Sequence, residues 1–375
     1  MKTVKRDSNL ELMRIVSMIF IVLYHIILHG NFIDQSEGTS RFLLLLIESF
    51  ILVHVNSYIL LTGYFQSKIK FKMSKLISIN NAGWFYRVLF LIIFSILGIV
   101  KFTHVDIFTN LMPFDYNNYW FLNSYLLLYL ISPLLNKVID TSSRRQLKGI
   151  TIGCFIIVSI ISTITLDTTV DTMNGRSIAT FIMLYFIGAY LRQYPPETWN
   201  AFSKWTREKR QLIYIWLYIF IAILSFSCMI IADYLSPLGS LIDHFALIIK
   251  KLHVSYASPI NVLEAIFYFL FFRTLIIKNN FINKLATACF GVYLISENYY
   301  VRLKIYKMLG ITTIPVTRKV IILSIVAAIL IFMVCSMIEL LRKWIFKVIY
   351  NTELAQKNRK VCKDYLEKIG FSISW

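Results

Sequence analysis

Residues 9–30 read NLELMRIVSMIFIVLYHIILHG, an apolar run that nevertheless carries Glu11, Arg14 and His25. A membrane-spanning helix needs about 20 predominantly apolar residues, which is the length of this run. At 100° per residue the three ionisable side chains share one helix face, and Arg14 and His25 lie about 16 Å apart along the axis. Because ionisable groups at membrane depth are costly, they are functional candidates by default. The run therefore predicts a spanning helix with a functional polar face.

The whole chain has the composition of a membrane protein. It has 375 residues, of which 57% are hydrophobic and 16% are charged, whereas soluble domains are about 45–50% apolar and about 25% charged. We predict an all-α, polytopic integral membrane protein, with one membrane domain over 1–341 and a charged tail over 342–375. About ten apolar runs are candidate transmembrane helices, near 10–29, 42–64, 85–101, 119–138, 149–167, 177–193, 211–233, 260–277, 285–301 and 319–341.

The net charge of +19 predicts orientation. In a soluble protein such an excess would suggest nucleic acid, but here the basic residues fall between the apolar runs. With a cytoplasmic N-terminus, 28 Lys and Arg residues fall in inner segments and 10 in outer ones. The positive-inside rule then places both termini in the cytoplasm. The basic segment 302–319 is the exception, and indicates either an anion-binding loop or a different helix count nearby.

The five cysteines are widely spaced and show no metal-ligand spacing. We therefore predict neither disulfides nor a metal site. The first apolar run carries Arg14 and His25 and no small-residue cleavage site follows it, so no cleavable signal peptide is expected.

The second apolar run supplies a carboxylate at the depth of His25. Glu48 lies about six residues below the outer end of that run, and a short connection favours packing of the first two helices against each other. A Glu48–His25 pair would orient the imidazole as a general base, although Glu48 could equally neutralise a buried Lys or Arg. Asn56 and Thr62 fall on the Glu48 side of the helix, whereas His54 points away and is interpreted as a packing or interfacial residue.

Four lysines follow at the inner membrane surface, at Lys68, Lys70, Lys72 and Lys75. Such a cluster is usual for cytoplasmic retention and attraction to anionic lipids, but it could also bind the phosphates of a nucleotide. Farther along, the aromatic residues at the outer end of run 119–138 are typical of an interfacial belt. Glu264 and Glu297 lie within later apolar runs and are cavity candidates.

Several motifs, in order along the chain, resemble those of the acyltransferase 3 family of membrane acyltransferases over about residues 7–340. The similar positions are Asn9, Glu11, Arg14 and His25; Val55, Asn56, Thr62, Gly63, Tyr64 and Phe65; Tyr119, Trp120, Phe121, Tyr125, Tyr129, Ser132, Pro133 and Asn136; Phe186, Ile187, Gly188, Ala189 and Tyr190; Ser258 and Pro259; and Gly291, Tyr293, Glu297 and Asn298.

This resemblance implies ten or more membrane helices and transfer of an acyl group, usually acetyl, from acetyl-CoA to a hydroxyl of an extracytoplasmic or lipid-linked glycan. It implies that His25 is catalytic and that Arg14 is essential. The chain departs from the family where Lys72 and Lys75 replace an RxxR pair associated with acyl-CoA, and where Ser296 replaces a histidine. The first change keeps the charge but loses bidentate phosphate binding.

Together, residues and resemblance predict a multi-pass enzyme of a bacterial plasma membrane, an O-acetyltransferase of the cell envelope that has no permanently bound cofactor. Acyl-CoA is expected against Arg14, Lys68, Lys72 and Lys75, and His25 with Glu48 is expected to deprotonate the sugar hydroxyl. Asn56, Thr62, Tyr293 and Glu297 are expected to contact the substrate or the developing oxyanion. The expected partners are acyl-CoA, a surface polysaccharide or lipid-linked oligosaccharide, and membrane lipids. The alternative is a transporter or polymerase of lipid-linked glycans, with the buried charges lining its path.

Overall fold

The computed structural model describes residues 7–99, 119–166, 173–199, 203–236, 240–302 and 315–350, with residues 103, 108 and 112. Over these residues the chain is helical and contains no strand, which confirms the all-α class. The helices are α1 Ser8–His29, α2 Gly38–Ile51, α3 Val53–Gln66, α4 Met73–Ile96, α5 Trp120–Thr141, α6 Arg144–Phe155 with a continuation to Thr165, α7 Ile178–Gln193, α8 Arg207–Leu235, α9 Ser240–Val254, α10 Pro259–Thr274, α11 Asn280–Ala286, α12 Cys289–Ser296 and α13 Arg318–Tyr350.

Eight helical stretches among these residues are long and apolar enough to cross a membrane, so the protein is a polytopic membrane protein. The predicted count of about ten included α7, which has only 16 residues. It also included run 285–301, which the structure divides into α11 and α12. Thr287 lies at this division, where its hydroxyl donates a hydrogen bond to the Lys284 carbonyl. The last helix continues beyond 341 to Tyr350, and residues 351–375 of the predicted tail lie outside the described residues.

The first helix is in contact with α2, α3, α10, α11, α12 and α13. Its start is tied to the end of α10, because Asn9 Nδ2 donates to the carbonyl oxygens of Phe272 at 3.0 Å and Arg273 at 3.3 Å. The Ser8 hydroxyl likewise accepts a hydrogen bond from the Asn279 backbone N–H. These hydrogen bonds provide partners for the buried Ser8 hydroxyl and for carbonyl oxygens at the end of α10, which have no partner within the helix. They fix the depth of α1 and hence of its polar face.

Two glycines allow α3 and α7 to cross in backbone contact. A methyl group added at Gly63 would overlap the carbonyl of Tyr185, and one added at Gly188 would overlap the carbonyl of Leu60. Close approach through small residues is a common way to join helices in membranes, where no hydrophobic force drives them together. The glycines of the two motif segments around 63 and 188 therefore have a packing role.

Pro133 lies within α5, where its ring cannot donate a hydrogen bond to the Tyr129 carbonyl. The Ser132 hydroxyl donates to that carbonyl instead, at 2.7 Å. The Tyr129 phenol in turn contacts both the N–H and the carbonyl oxygen of Lys72, at 3.1 and 3.2 Å. The Ser–Pro pair thus preserves a helix that fixes the start of α4.

Candidate active site

A cavity of about 460 Å³ lies beside α1, with walls from α3, α4, α5, α12 and α13 and from the segments that carry Arg176 and Tyr256. Both Arg14 and His25 line it, together with Met18 and Ile21 from the turns between them. The shared face predicted for α1 is therefore the wall of a real cavity. Its two ends, which we call the cationic end and the histidine end, differ in chemistry.

The cationic end carries Arg14, Lys75 and Lys343 from three different helices. Arg14 pairs with Glu11 at 3.0 Å, and Lys75 donates to Gln66 Oε1 at 3.0 Å while lying 4.9 Å from the centre of the Tyr129 ring. Lys343 donates to the Thr287 carbonyl. Glu11 and Glu339 balance part of this charge, since Glu339 lies 3.4 Å from the Lys343 ammonium, and the remaining positive charge suits the phosphates of an anionic ligand.

Of the predicted donor-binding residues, the structure brings Arg14 and Lys75 to the cavity but not Lys68 or Lys72. The exposed Lys68 ammonium lies 3.5 Å from Asp140. Lys72 is the residue before α4, and its backbone N–H donates a hydrogen bond to the Tyr129 hydroxyl. The third cation of the cationic end, Lys343, belongs to the segment that the sequence assigned to the tail. A lysine 268 positions away from Lys75 carries no local signal of this role.

At the histidine end, His25 faces Glu297 and not Glu48. Nδ1 of His25 lies 3.1 Å from Glu297 Oε1, and the other carboxylate oxygen is hydrogen-bonded to His29 Nε2 at 3.4 Å. The His25 and His29 rings stack with centroids 5.5 Å apart. The Arg302 guanidinium lies 3.9 Å from the same carboxylate. One buried glutamate is therefore shared by two histidines and an arginine.

The predicted Glu48–His25 pair is wrong. Glu48 Oε2 lies 3.2 Å from His253 Nε2, and the other nitrogen of that ring is 3.0 Å from the Ser225 hydroxyl. Glu48 does not line the cavity. The Glu48 carboxylate faces α9, the helix that carries His253.

His54, which the sequence placed away from the Glu48 side of the helix, lines the cavity and is almost fully buried. Its Nδ1 lies 2.6 Å from the Ile51 carbonyl and so carries the proton, which leaves Nε2 to accept a hydrogen bond from the Tyr256 hydroxyl at 3.3 Å. The cavity face of α3 is set by His54, Tyr58 and Thr62, spaced four residues apart. A helical wheel measured from Glu48 does not identify this face.

The remaining predicted substrate residues separate into two groups. Thr62 and Tyr293 line the cavity. Asn56 does not, because it is fully buried and its Nδ2 donates to the carbonyls of Tyr256 and Asn261, at 2.8 and 3.3 Å. It therefore ties α3 to the segment before α10. Glu264, which the sequence indicated only as a cavity candidate, is fully buried and does not line the cavity.

Aromatic rings form the wall near the histidine end. Trp120 stacks on Tyr256 with ring centroids 6.2 Å apart, and the Arg176 guanidinium lies 5.5 Å from the centre of the Trp120 ring. Tyr24 lies between His25 and His54, at 5.7 and 5.1 Å from their rings. Aromatic residues at the start of α5, for which the sequence predicted an interfacial belt, thus form part of the cavity wall. The tryptophan and tyrosine of that motif could have indicated a ring-lined site.

The fold and site define a polytopic helical membrane protein whose cavity is lined by charged, polar and aromatic side chains from both halves of the chain. The family model of acyltransferase 3, described as an acyltransferase domain, matches residues 7–338. The chain belongs to this family and is a membrane acyltransferase. No curated protein and no solved structure matches it.

Proposed function

We propose that the protein transfers an acyl group, most simply acetyl, from cytoplasmic acyl-CoA to a hydroxyl of an extracytoplasmic or lipid-linked polysaccharide in a bacterial plasma membrane. The observation that carries this proposal is that one cavity joins three cations at one end to His25 at the other. The axial distance of about 16 Å along α1 suits a donor with an anionic head and a long thioester arm.

In this reaction the phosphates of acyl-CoA lie against Arg14, Lys75 and Lys343, and the pantetheine arm extends past Met18 and Ile21. Charge-assisted hydrogen bonds to phosphate are among the stronger polar contacts in proteins. Positive charge at this end also agrees with a cytoplasmic location under the positive-inside rule. The donor head thus stays in the cytoplasm while its thioester reaches into the membrane.

His25 acts as the general base. Because Nδ1 faces Glu297, Nε2 is the nitrogen that takes the proton of the acceptor hydroxyl. The hydroxyl oxygen then bonds to the thioester carbonyl carbon, and the tetrahedral intermediate expels the CoA thiolate, which takes up the proton from His25. The products are an ester and free CoA.

Glu297 stabilises the imidazolium that forms on His25, as a carboxylate does in other histidine-based sites. Tyr293 lines the same cavity, and in this proposal its hydroxyl donates to the developing oxyanion, whereas the Asn56 amide donates to backbone carbonyls. Preorganised donors of this kind contribute strongly to acyl transfer.

The test uses purified protein in lipid nanodiscs with labelled acetyl-CoA and cell-envelope glycan as acceptor. We expect label transfer by the wild type and a loss of about 10²–10⁴-fold in His25→Ala, the usual contribution of a general base. The matched control is His244→Ala, because His244 is an exposed histidine on α9 outside the cavity. Transfer at the wild-type rate by His25→Ala would refute the catalytic assignment. Absence of both transfer and stabilisation by acetyl-CoA would favour glycan transport.

A further inference from the structure

A second pocket, of about 240 Å³, lies between the start of α8, the short 3₁₀ segment Pro196–Thr198 and the end of α10. It shares no lining residue with the main cavity. Three of its lining residues are arginines, Arg207, Arg210 and Arg273, against a single carboxylate, Glu197. We call it the arginine pocket.

Each guanidinium of the arginine pocket is held by a neighbouring group. Arg207 Nε donates to the Thr274 carbonyl at 2.5 Å, and Arg210 donates to the Trp205 carbonyl at 2.8 Å. Arg273 binds both carboxylate oxygens of Glu197, one of them at 2.9 Å. A fixed guanidinium loses less entropy when it binds a ligand, so these contacts preorganise the pocket.

The pocket carries an excess of two positive charges. Burial raises the pKa of Glu197, but hydrogen bonds and the charge of Arg273 outweigh it, and the net pKa lies below its ordinary value. Glu197 is therefore ionised at neutral pH and balances Arg273. Carbonyl oxygens hold Arg207 and Arg210 without neutralising their charge, and the exposed Glu208 carboxylate, which does not line the pocket, is close enough to both arginines to interact with their charges. The start of α8 at Arg207 adds the positive end of a helix dipole.

The position of the pocket places it at a membrane surface. The pocket lies where the apolar helix α10 ends. Asn9, at the start of α1, donates hydrogen bonds to the end of α10, so the pocket and the start of α1 are at the same end of the molecule. Ile276, which lines the pocket, is 71% exposed. Basic pockets between transmembrane helices at this level are a recognised setting for phosphate headgroups.

We propose that the arginine pocket binds a phosphate group of a ligand at the membrane surface, independently of acyl transfer. Guanidinium groups match phosphate oxygens bidentately, and the two arginines in charge excess supply the donors. The phosphate belongs either to an anionic phospholipid or to a soluble phosphate compound, and these sources are separable.

The test measures thermal unfolding of the full chain with two probes. One is inorganic phosphate added in detergent, and the other is nanodiscs of phosphatidylcholine with or without phosphatidylglycerol. The variant is the double substitution Arg207→Gln and Arg210→Gln. Its matched control replaces Arg144 and Arg145, which also begin a helix but line neither pocket. Stabilisation is expected in the wild type and control, with affinity at least about tenfold weaker in the variant.

Stabilisation by phosphatidylglycerol alone would identify a lipid headgroup, and stabilisation by phosphate would identify a soluble ligand. Stabilisation by neither probe, or equally in the double variant, would overturn the proposal. If the double variant does not fold, Glu197→Gln gives a second test. It releases Arg273 and adds one net positive charge, so phosphate or phosphatidylglycerol is expected to bind more tightly than to wild type. Unchanged or weaker binding would contradict the proposal.

Discussion

His25 and Glu297 lie 272 positions apart in the chain, yet Nδ1 of the histidine is 3.1 Å from a carboxylate oxygen of the glutamate. The contact joins the C-terminal part of α1 to the end of α12, and both side chains are largely buried. In the proposed mechanism this contact makes Glu297 the positioning residue for His25. Glu48, which the sequence favoured for that role, is engaged elsewhere.

Replacement of Glu297 by Gln is expected to lower kcat for acyl transfer by about 10²-fold or more, because the imidazolium loses its counter-charge. KM for acyl-CoA is expected to change little, since the cationic end is untouched. Steady-state kinetics over a range of acetyl-CoA concentrations separate the two parameters. A rise in KM with unchanged kcat would show that Glu297 acts in donor binding instead.

Replacement of Glu48 by Gln is expected to leave kcat of the folded enzyme within about threefold of wild type and to lower its Tm. The cost in stability is on the order of 1–3 kcal/mol, because the substitution weakens a buried contact with His253. Thermal unfolding and kinetics on one preparation check both parts. A large loss of kcat with unchanged Tm would restore Glu48 to the catalytic site.

The cationic end is expected to set donor affinity. Lys75→Gln and Lys343→Gln should each raise KM for acyl-CoA about tenfold, the effect of losing one charge-assisted contact of about 1.4 kcal/mol, with kcat largely retained. Lys68→Gln is the control, because Lys68 is exposed and outside the cavity. Equal effects of all three changes would indicate a diffuse surface attraction rather than a site.

The crossing of α3 and α7 makes a stability prediction. Gly63→Ala and Gly188→Ala should destabilise the protein by about 1–3 kcal/mol or more, because the added methyl meets fixed backbone. Gly149→Ala and Gly153→Ala are matched controls in α6, since a methyl at either position meets open space. These controls should be neutral or stabilising by about 0.5–1 kcal/mol. Chemical unfolding in detergent distinguishes the two pairs, and similar values for both would contradict the packing argument.

The sequence was sufficient for the membrane class and for the polar face of α1, because both depend on local periodicity and composition. It was not sufficient for the partner of His25. Which buried carboxylate meets the imidazole depends on how α2 and α12 pack around α1, and neither choice leaves a local pattern. The same is true of Lys343, whose charged segment resembles a solvent-exposed tail but belongs to a helix that reaches the cavity.

The position of His54 shows a limit of the helical-wheel argument. The wheel needs one residue whose surroundings are known, and Glu48 was the wrong reference because it faces His253. Taken from Tyr58 or Thr62, the same 100° step would have placed His54 on the cavity face. The helical period was therefore correct, but the residue from which it was measured was not.

The central claim is that one cavity connects the cationic end to His25. A reversible block of the cavity between Arg14 and His25 tests this claim most directly. Ile21 lines the cavity between Arg14 and His25. The variant Ile21→Cys is prepared with Cys289→Ala, which removes the native cavity thiol, and is labelled with a bulky methanethiosulfonate after purification. Leu28→Cys in the same background is the control, because Leu28 is exposed on α1 outside the cavity.

We expect labelled Ile21→Cys to lose acyl transfer by about 10²-fold or more, in the range of a fully displaced reacting group. A reductant should restore transfer, and acyl-CoA should slow the labelling. Labelled Leu28→Cys should retain full activity. Full transfer by labelled Ile21→Cys would show that the acyl group does not pass through this cavity, and would contradict the account.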